Sequence, residues 1–121
     1  MKKDFLQEIF DKIAKHLLTQ NKQSKDEKGH CFYRGPDGLK CAVGAIIPDK
    51  DYDIKFEGLA VGDAPIKTFF VDSGYSDKEI FLLRELQIIH DAERPSFWKR
   101  RLSNLAFEYS LSPEILDLQI K

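Results

Sequence analysis

The 121-residue sequence lacks several features that would place it in a broad class of protein. No apolar run approaches the roughly 20 residues that cross a membrane as a helix. Two cysteines are too few for the disulfide framework of a small secreted domain, and Asp4, Glu8 and Asp11 interrupt the N-terminus where a signal peptide would be apolar. The net charge of −1 excludes an overall field that attracts nucleic acid or an anionic membrane. These absences predict a cytoplasmic protein.

What is present is a globular composition, 42% hydrophobic and 32% charged, in a chain long enough for one domain with its own core. Apolar residues at helical spacing and capping residues predict four or five helices. These cover about residues 4–20, about 63–74, the stretch after the Ser76–Glu79 capping box, the stretch from Pro95, and a short segment after Ser112-Pro113.

The stretch CFYRGPDGLKCAV, residues 31–43, predicts a β-hairpin. Pro36-Asp37-Gly38 fits a type I turn closed by a glycine with positive φ. One face of this hairpin would then be apolar and pack on the helices, and the other would carry Arg34 and Lys40 beside Phe32. The sequence therefore predicts a single α+β domain over residues 1–121, with one β-hairpin at about residues 30–44 packed against four or five helices.

The cysteines and histidines raise two chemical alternatives. A zinc site at Cys31 and Cys41 has the wrong spacing for a knuckle or finger, so we expect no metal and no other cofactor. A nucleophilic Cys41 with His90 as its base is the enzyme alternative. However, His90 lies on the apolar arc of its helix, and Asp91 should point about 100° away around the axis, so that it could not orient the imidazole.

A second alternative is a helix-turn-helix regulator that binds DNA with its C-terminal helices. Small and apolar residues from Leu105 to Ile115 follow that pattern, and Lys99, Arg100 and Arg101 precede them. Ser110, however, stands where glycine usually makes the turn. The segment that would contact DNA bases is short and acidic, so the sequence favours a protein partner over DNA.

The order of the motifs resembles an uncharacterised family of small proteins that are frequent in tailed phages and prophages. The resemblance rests on the hairpin motif C-x-YR-x-PDG-x-KCAVG, on Glu57-Gly58, on the LQ-x2-HD stretch that ends at Asp91, and on Trp98. It implies a bacterial cytoplasm and an accessory phage gene. It implies no chemistry.

Together these observations predict a non-catalytic binding module that acts stoichiometrically on a host or defence protein or on an anionic small ligand. Arg34 and Lys40 would supply a cationic contact. Glu57, His90 and Asp91 would form an internal polar tie to the hairpin. The candidate binding residues are Tyr33, Arg34, Lys40, Glu57, His90 and Asp91.

Overall fold

Four α-helices, with a long irregular segment of residues 21–65 between the first and the second, account for most of residues 5–117, the part of the chain that the computed structural model describes. The helices are α1 (Leu6–Gln20), α2 (Ile66–Asp72), α3 (Asp77–Ala92) and α4 (Pro95–Glu108). Single 3₁₀ turns form at Pro36–Gly38, Val43–Ala45, Ile54–Phe56 and Glu114–Asp117. No β-strand forms between residues 5 and 117. The predicted α+β class is therefore wrong, and the fold is all-helical.

The starts of α3 and α4 and the end of α1 lie where the sequence predicts, whereas α2 is shorter than the predicted range of about residues 63–74. The Ser76–Glu79 capping box opens α3, with both reciprocal hydrogen bonds present, and Pro95 opens α4. Asn21 ends α1 in a left-handed conformation, with its N–H donating to the carbonyl of Leu17. The predicted cap of α1 involves Asp4, which lies outside the described residues.

The core lies where α1, α3 and α4 pack against one another. Trp98, Phe10 and Leu82 are fully buried there, and α2 adds Phe70. Helix α3 buries side chains along about half of its circumference, on the arc that runs from Ile89 through His90 to Ile80, and leaves Phe81 and Ile88 exposed on the other half. Within the described residues, no helix is long and apolar enough to cross a membrane.

The hairpin predicted at about residues 30–44 does not form. Two isolated antiparallel bridges, Lys25 with Cys31 and Arg34 with Lys40, replace the predicted ladder. The Pro36–Gly38 segment is a 3₁₀ turn in which Gly38 has the predicted positive φ. Asp37 also has a positive φ, of 58°, although the second central residue of a type I turn has a negative one.

The predicted β-ladder does not form because backbone N–H groups of this stretch donate to side chains instead of to the opposite strand. The N–H groups of Tyr33 and Arg34 donate to the carboxylate of Glu57, and that of Val43 donates to the amide oxygen of Gln87. Close packing adds to this: a Cβ on Gly44 would lie 2.8 Å from the carbonyl carbon of Tyr33. The irregular segment therefore satisfies its backbone through side chains that are distant in sequence.

Candidate functional site

The first polar cluster centres on Glu57 and is called here the Glu57 cluster (Tyr33, Arg34, Tyr52 and Glu57). One carboxylate oxygen of Glu57 accepts the N–H of Tyr33 at 2.8 Å. The other accepts the N–H of Arg34 at 3.1 Å and the hydroxyl of Tyr52. Burial and the adjacent Glu57 raise the pKa of Tyr52 to about 12, so its hydroxyl keeps its proton and donates.

The side chain of Arg34 extends away from Glu57, and several groups contact its guanidinium. Its Nη2 donates to the carbonyl of Ile47 at 2.8 Å, and the guanidinium carbon lies 4.9 Å from the centre of the Tyr52 ring. Its Nη1 lies 2.7 Å from Oδ1 of Asp49, and Nζ of Lys40 lies 4.0 Å from the same oxygen. The two predicted cations therefore converge on one exposed carboxylate of the same chain.

The second cluster lies at the end of α3 and is called here the His90 cluster (Ser24, Cys31, Gln87, His90 and Asp91). The fully buried ring of His90 accepts the N–H of Ser24 on Nε2 at 2.9 Å. The neutral ring therefore carries its proton on Nδ1, which lies 2.7 Å from Oδ1 of Asp91 and donates to it. The expectation that Asp91 could not orient His90 is wrong, because the carboxylate folds back onto the ring.

Gln87 extends the His90 cluster to the irregular segment. Its amide nitrogen donates to Oδ1 of Asp91 at 2.8 Å, and its amide oxygen accepts the N–H of Val43 at 3.0 Å. The ring of His90 also stacks on Trp98, with ring centroids 5.6 Å apart. The predicted polar tie thus takes the form of two separate clusters, one built on Glu57 and one on His90.

Cys31, His90 and Asp91 bring three metal-ligating atoms within 4.8 Å of one another, next to a pocket of about 290 Å³. The tautomer of His90 opposes coordination. A metal on Nδ1 would move the proton to Nε2, which would then face the N–H of Ser24, and two donors cannot bond to each other. The arrangement fits a hydrogen-bond network better than a metal centre.

Neither thiol has the environment of a nucleophile. Both cysteines are free, and Cys41 is fully buried with its Sγ accepting the N–H of Gly44 at 3.2 Å. Burial raises the pKa of Cys41 far above its ordinary value. Burial and then the nearby Asp91 raise the pKa of Cys31 to about 11. Near neutral pH both are therefore thiols, whereas a catalytic cysteine needs the thiolate.

A different kind of surface lies on the solvent side of α4. Phe97, Arg100, Asn104 and Phe107 are spaced three, four and three residues apart, which places them on one face, called here the α4 outer face. All four side chains are exposed, Phe97 by 49% and Phe107 by 86%. The exposed Arg101 flanks them. The sequence analysis did not identify this face. The available signal was that neither phenylalanine lies on the apolar stripe of α4, which indicates that both face solvent.

The structure also bears on the helix-turn-helix hypothesis. Ser110 has a φ of 56°, so it adopts the left-handed turn conformation without being glycine. After it, however, the described residues form only the 3₁₀ turn Glu114–Asp117, with Leu116 buried. A recognition helix needs a longer exposed face than this turn offers.

The candidate residues thus belong mainly to the two internal clusters, and Lys40 remains at the surface beside Asp49. Comparisons with models of known protein families, with curated proteins and with solved structures gave no match.

Proposed function

We propose that the protein is a non-catalytic binding module, a phage or prophage accessory protein that binds stoichiometrically to an acidic surface of a host or defence protein in the bacterial cytoplasm. The α4 outer face is the observation that carries this proposal. It presents two exposed phenylalanines and an arginine on one helical face, next to Arg101. Aromatic residues and arginine are enriched at protein interfaces and among the residues that dominate binding energy.

The chemistry of this face indicates an acidic protein partner. Burying a phenylalanine side chain contributes roughly 1.5–3 kcal/mol, and Phe107 is almost completely exposed in this chain. Within residues 5–117, neither Arg100 nor Arg101 has a carboxylate at ion-pair distance. Carboxylates of a partner would complement both cations while its apolar atoms cover the phenylalanines.

The internal clusters support a non-catalytic role. The groups that could carry chemistry have partners within the fold, as the His90 ring shows with both of its nitrogens bonded. An active site instead needs a nucleophile or base directed at a substrate. The enzyme alternative built on Cys41 and His90 therefore lacks its geometric basis, because Cys41 is sealed in the core.

The test is affinity capture from nuclease-treated bacterial lysate with the tagged protein and two matched double variants. Phe107→Ala with Arg100→Glu alters the α4 outer face. Ile54→Ala with Lys50→Glu makes the same kinds of change at exposed residues of the irregular segment. We expect a protein captured at a one-to-one ratio, retained by the Ile54/Lys50 variant and lost with the Phe107/Arg100 variant.

Two outcomes would contradict the proposal. Equal capture by both variants would place the binding surface elsewhere. Retention of duplex DNA by the purified protein, lost with Arg100→Glu and steeply reduced by salt, would instead favour the nucleic-acid alternative.

A further inference from the structure

We propose that Arg34 and Lys40 form a carboxylate-binding position that Asp49 fills in the free protein and that an acidic side chain of a partner protein takes over. This position is separate from the α4 outer face, so it stands or falls independently of it. Its basis is the convergence on a single oxygen of two cations that face each other across the Pro36–Gly38 turn.

The geometry of the position already accommodates a carboxylate. Oδ1 of Asp49 lies 2.7 Å from Nη1 of Arg34 and 4.0 Å from Nζ of Lys40. The guanidinium donates a hydrogen bond to this oxygen and the ammonium lies at ion-pair distance from it, which together form a site for a carboxylate or phosphate oxygen. Because the group that occupies it is itself a carboxylate, an external carboxylate is the ligand that the geometry favours.

Arg34 does not depend on Asp49 for its position. Its side chain is only 21% exposed, its Nη2 is bonded to the carbonyl of Ile47, and its guanidinium lies over the ring of Tyr52. The Glu57 carboxylate also fixes its backbone N–H. Removing Asp49 should therefore leave the guanidinium in place, ready for another anion, and such preorganisation lowers the entropic cost of binding.

Asp49, in contrast, is weakly held. Its side chain is 85% exposed, and its polar side-chain contacts in the described structure are with the two cations. Asp49 gains little from this ion pair, because its carboxylate is well solvated whether or not it contacts the cations. A partner's carboxylate that arrives with other contacts can replace Asp49 at small cost. The side chain of Asp49 thus acts as a tethered competitor.

The experiment compares the intact protein with Asp49→Asn, using acetate as the probe and NMR of the Arg34 Nε–H as the readout. This Nε is buried and has no hydrogen-bond partner among residues 5–117, so its signal reports on the guanidinium without taking part in binding. Asp53→Asn is the matched control. It removes the same charge from a nearby exposed residue, and asparagine also caps the turn that Asp53 caps.

We expect acetate to shift the Arg34 signal in Asp49→Asn with a Kd at least about fivefold lower than in the unaltered protein, because the tethered competitor is gone. Asp53→Asn should behave as the unaltered protein does, and adding Lys40→Gln to Asp49→Asn should weaken acetate binding.

Three results would overturn the inference: equal Kd values for Asp49→Asn and Asp53→Asn, a response to inorganic phosphate but not to acetate, or loss of the Arg34 signal in Asp49→Asn. Because purified protein and a small anion suffice, failure here is distinct from failure of the capture experiment on α4.

Discussion

Replacing Glu57 with alanine should destabilise the fold more than any other change to an acidic side chain at the surface of the irregular segment. The carboxylate accepts three hydrogen bonds, from the N–H groups of Tyr33 and Arg34 and from the hydroxyl of Tyr52. Hydrogen bonds to charged groups contribute about 1.5–3 kcal/mol each when buried. Because water can reach part of this cluster, we expect a total loss of about 2–4 kcal/mol.

That loss is large against the stability of a chain of this length. At about 0.05–0.15 kcal/mol per residue, the free energy of unfolding for 121 residues is about 6–18 kcal/mol. At about 4 °C for each kcal/mol, the Tm should fall by about 8–16 °C. The Tm of Glu57→Gln should lie between those of Glu57→Ala and the unaltered protein. The amide oxygen of glutamine can accept one of the two backbone N–H groups, while its NH₂ group opposes the other.

Thermal and urea unfolding followed by circular dichroism measure this loss. Glu27→Ala is the control, because Glu27 is exposed and no described contact involves its side chain. Its effect should stay within about 0.5 kcal/mol, as is usual for surface substitutions. If Glu57→Ala shifts the transition no more than Glu27→Ala does, the Glu57 cluster does not hold the irregular segment, and the reasoning is refuted.

Three further predictions concern single residues. Gly44→Ala should prevent stable folding or lower the Tm sharply, because the new Cβ would lie 2.8 Å from the carbonyl carbon of Tyr33. A Cβ on Gly62 would meet no atom of the described residues within 4 Å, so Gly62→Ala should leave the Tm almost unchanged. Burial lowers the pKa of His16 below 6.5, so the unfolded chain binds its proton more readily. The stabilisation from neutral His16 is therefore complete above about pH 6.5 and is lost as the pH falls through the lower pKa of the folded state, so that Tm measured against pH should drop less on acidification in His16→Gln. Cys41 should resist iodoacetamide in the native protein at neutral pH and react after unfolding, as mass spectrometry can establish; rapid native labelling would show that the thiol is accessible.

The helices could be predicted from the sequence because their determinants are local. The Ser76–Glu79 capping box, Pro95 and the apolar periodicity of residues 6–17 each act within one or two turns of the helix they define. Such short-range features survive in the tertiary structure because the packing of α1, α3 and α4 uses the same apolar faces.

The irregular segment could not be predicted in the same way. A turn forms at Pro36-Asp37-Gly38, where the sequence predicts one, and the N–H of Gly35 donates to the carbonyl of Leu39 across it. The strands failed because the competing acceptors are Glu57 and Gln87, which lie 24 and 44 residues from the N–H groups of residues 33 and 43. No local pattern indicates such a pairing.

The sequence indicated which residues contact one another in the candidate site better than it indicated how they are arranged. Glu57, His90 and Asp91 were grouped as one polar tie, and the helical-wheel argument about Asp91 neglected that a short side chain near a helix end can fold along the axis. The α4 outer face was missed because Lys99, Arg100 and Arg101 were considered only as the basic residues of a helix-turn-helix. The exposure of Phe107 became evident only from the packing of α4 against the core.

The substitution of side-chain acceptors for a β-ladder has a consequence for hydrogen exchange. The amides of Ser24, Tyr33 and Val43 donate to the side chains of His90, Glu57 and Gln87. Their protection from deuterium is therefore set by residues elsewhere in the chain. In a ladder, one opening event would expose neighbouring amides together. Here each amide should exchange at a rate set by the stability of its own distant acceptor. Because His90 and Gln87 both lie near the end of α3, local opening of that end should control the exchange of the amides of residues 24 and 43.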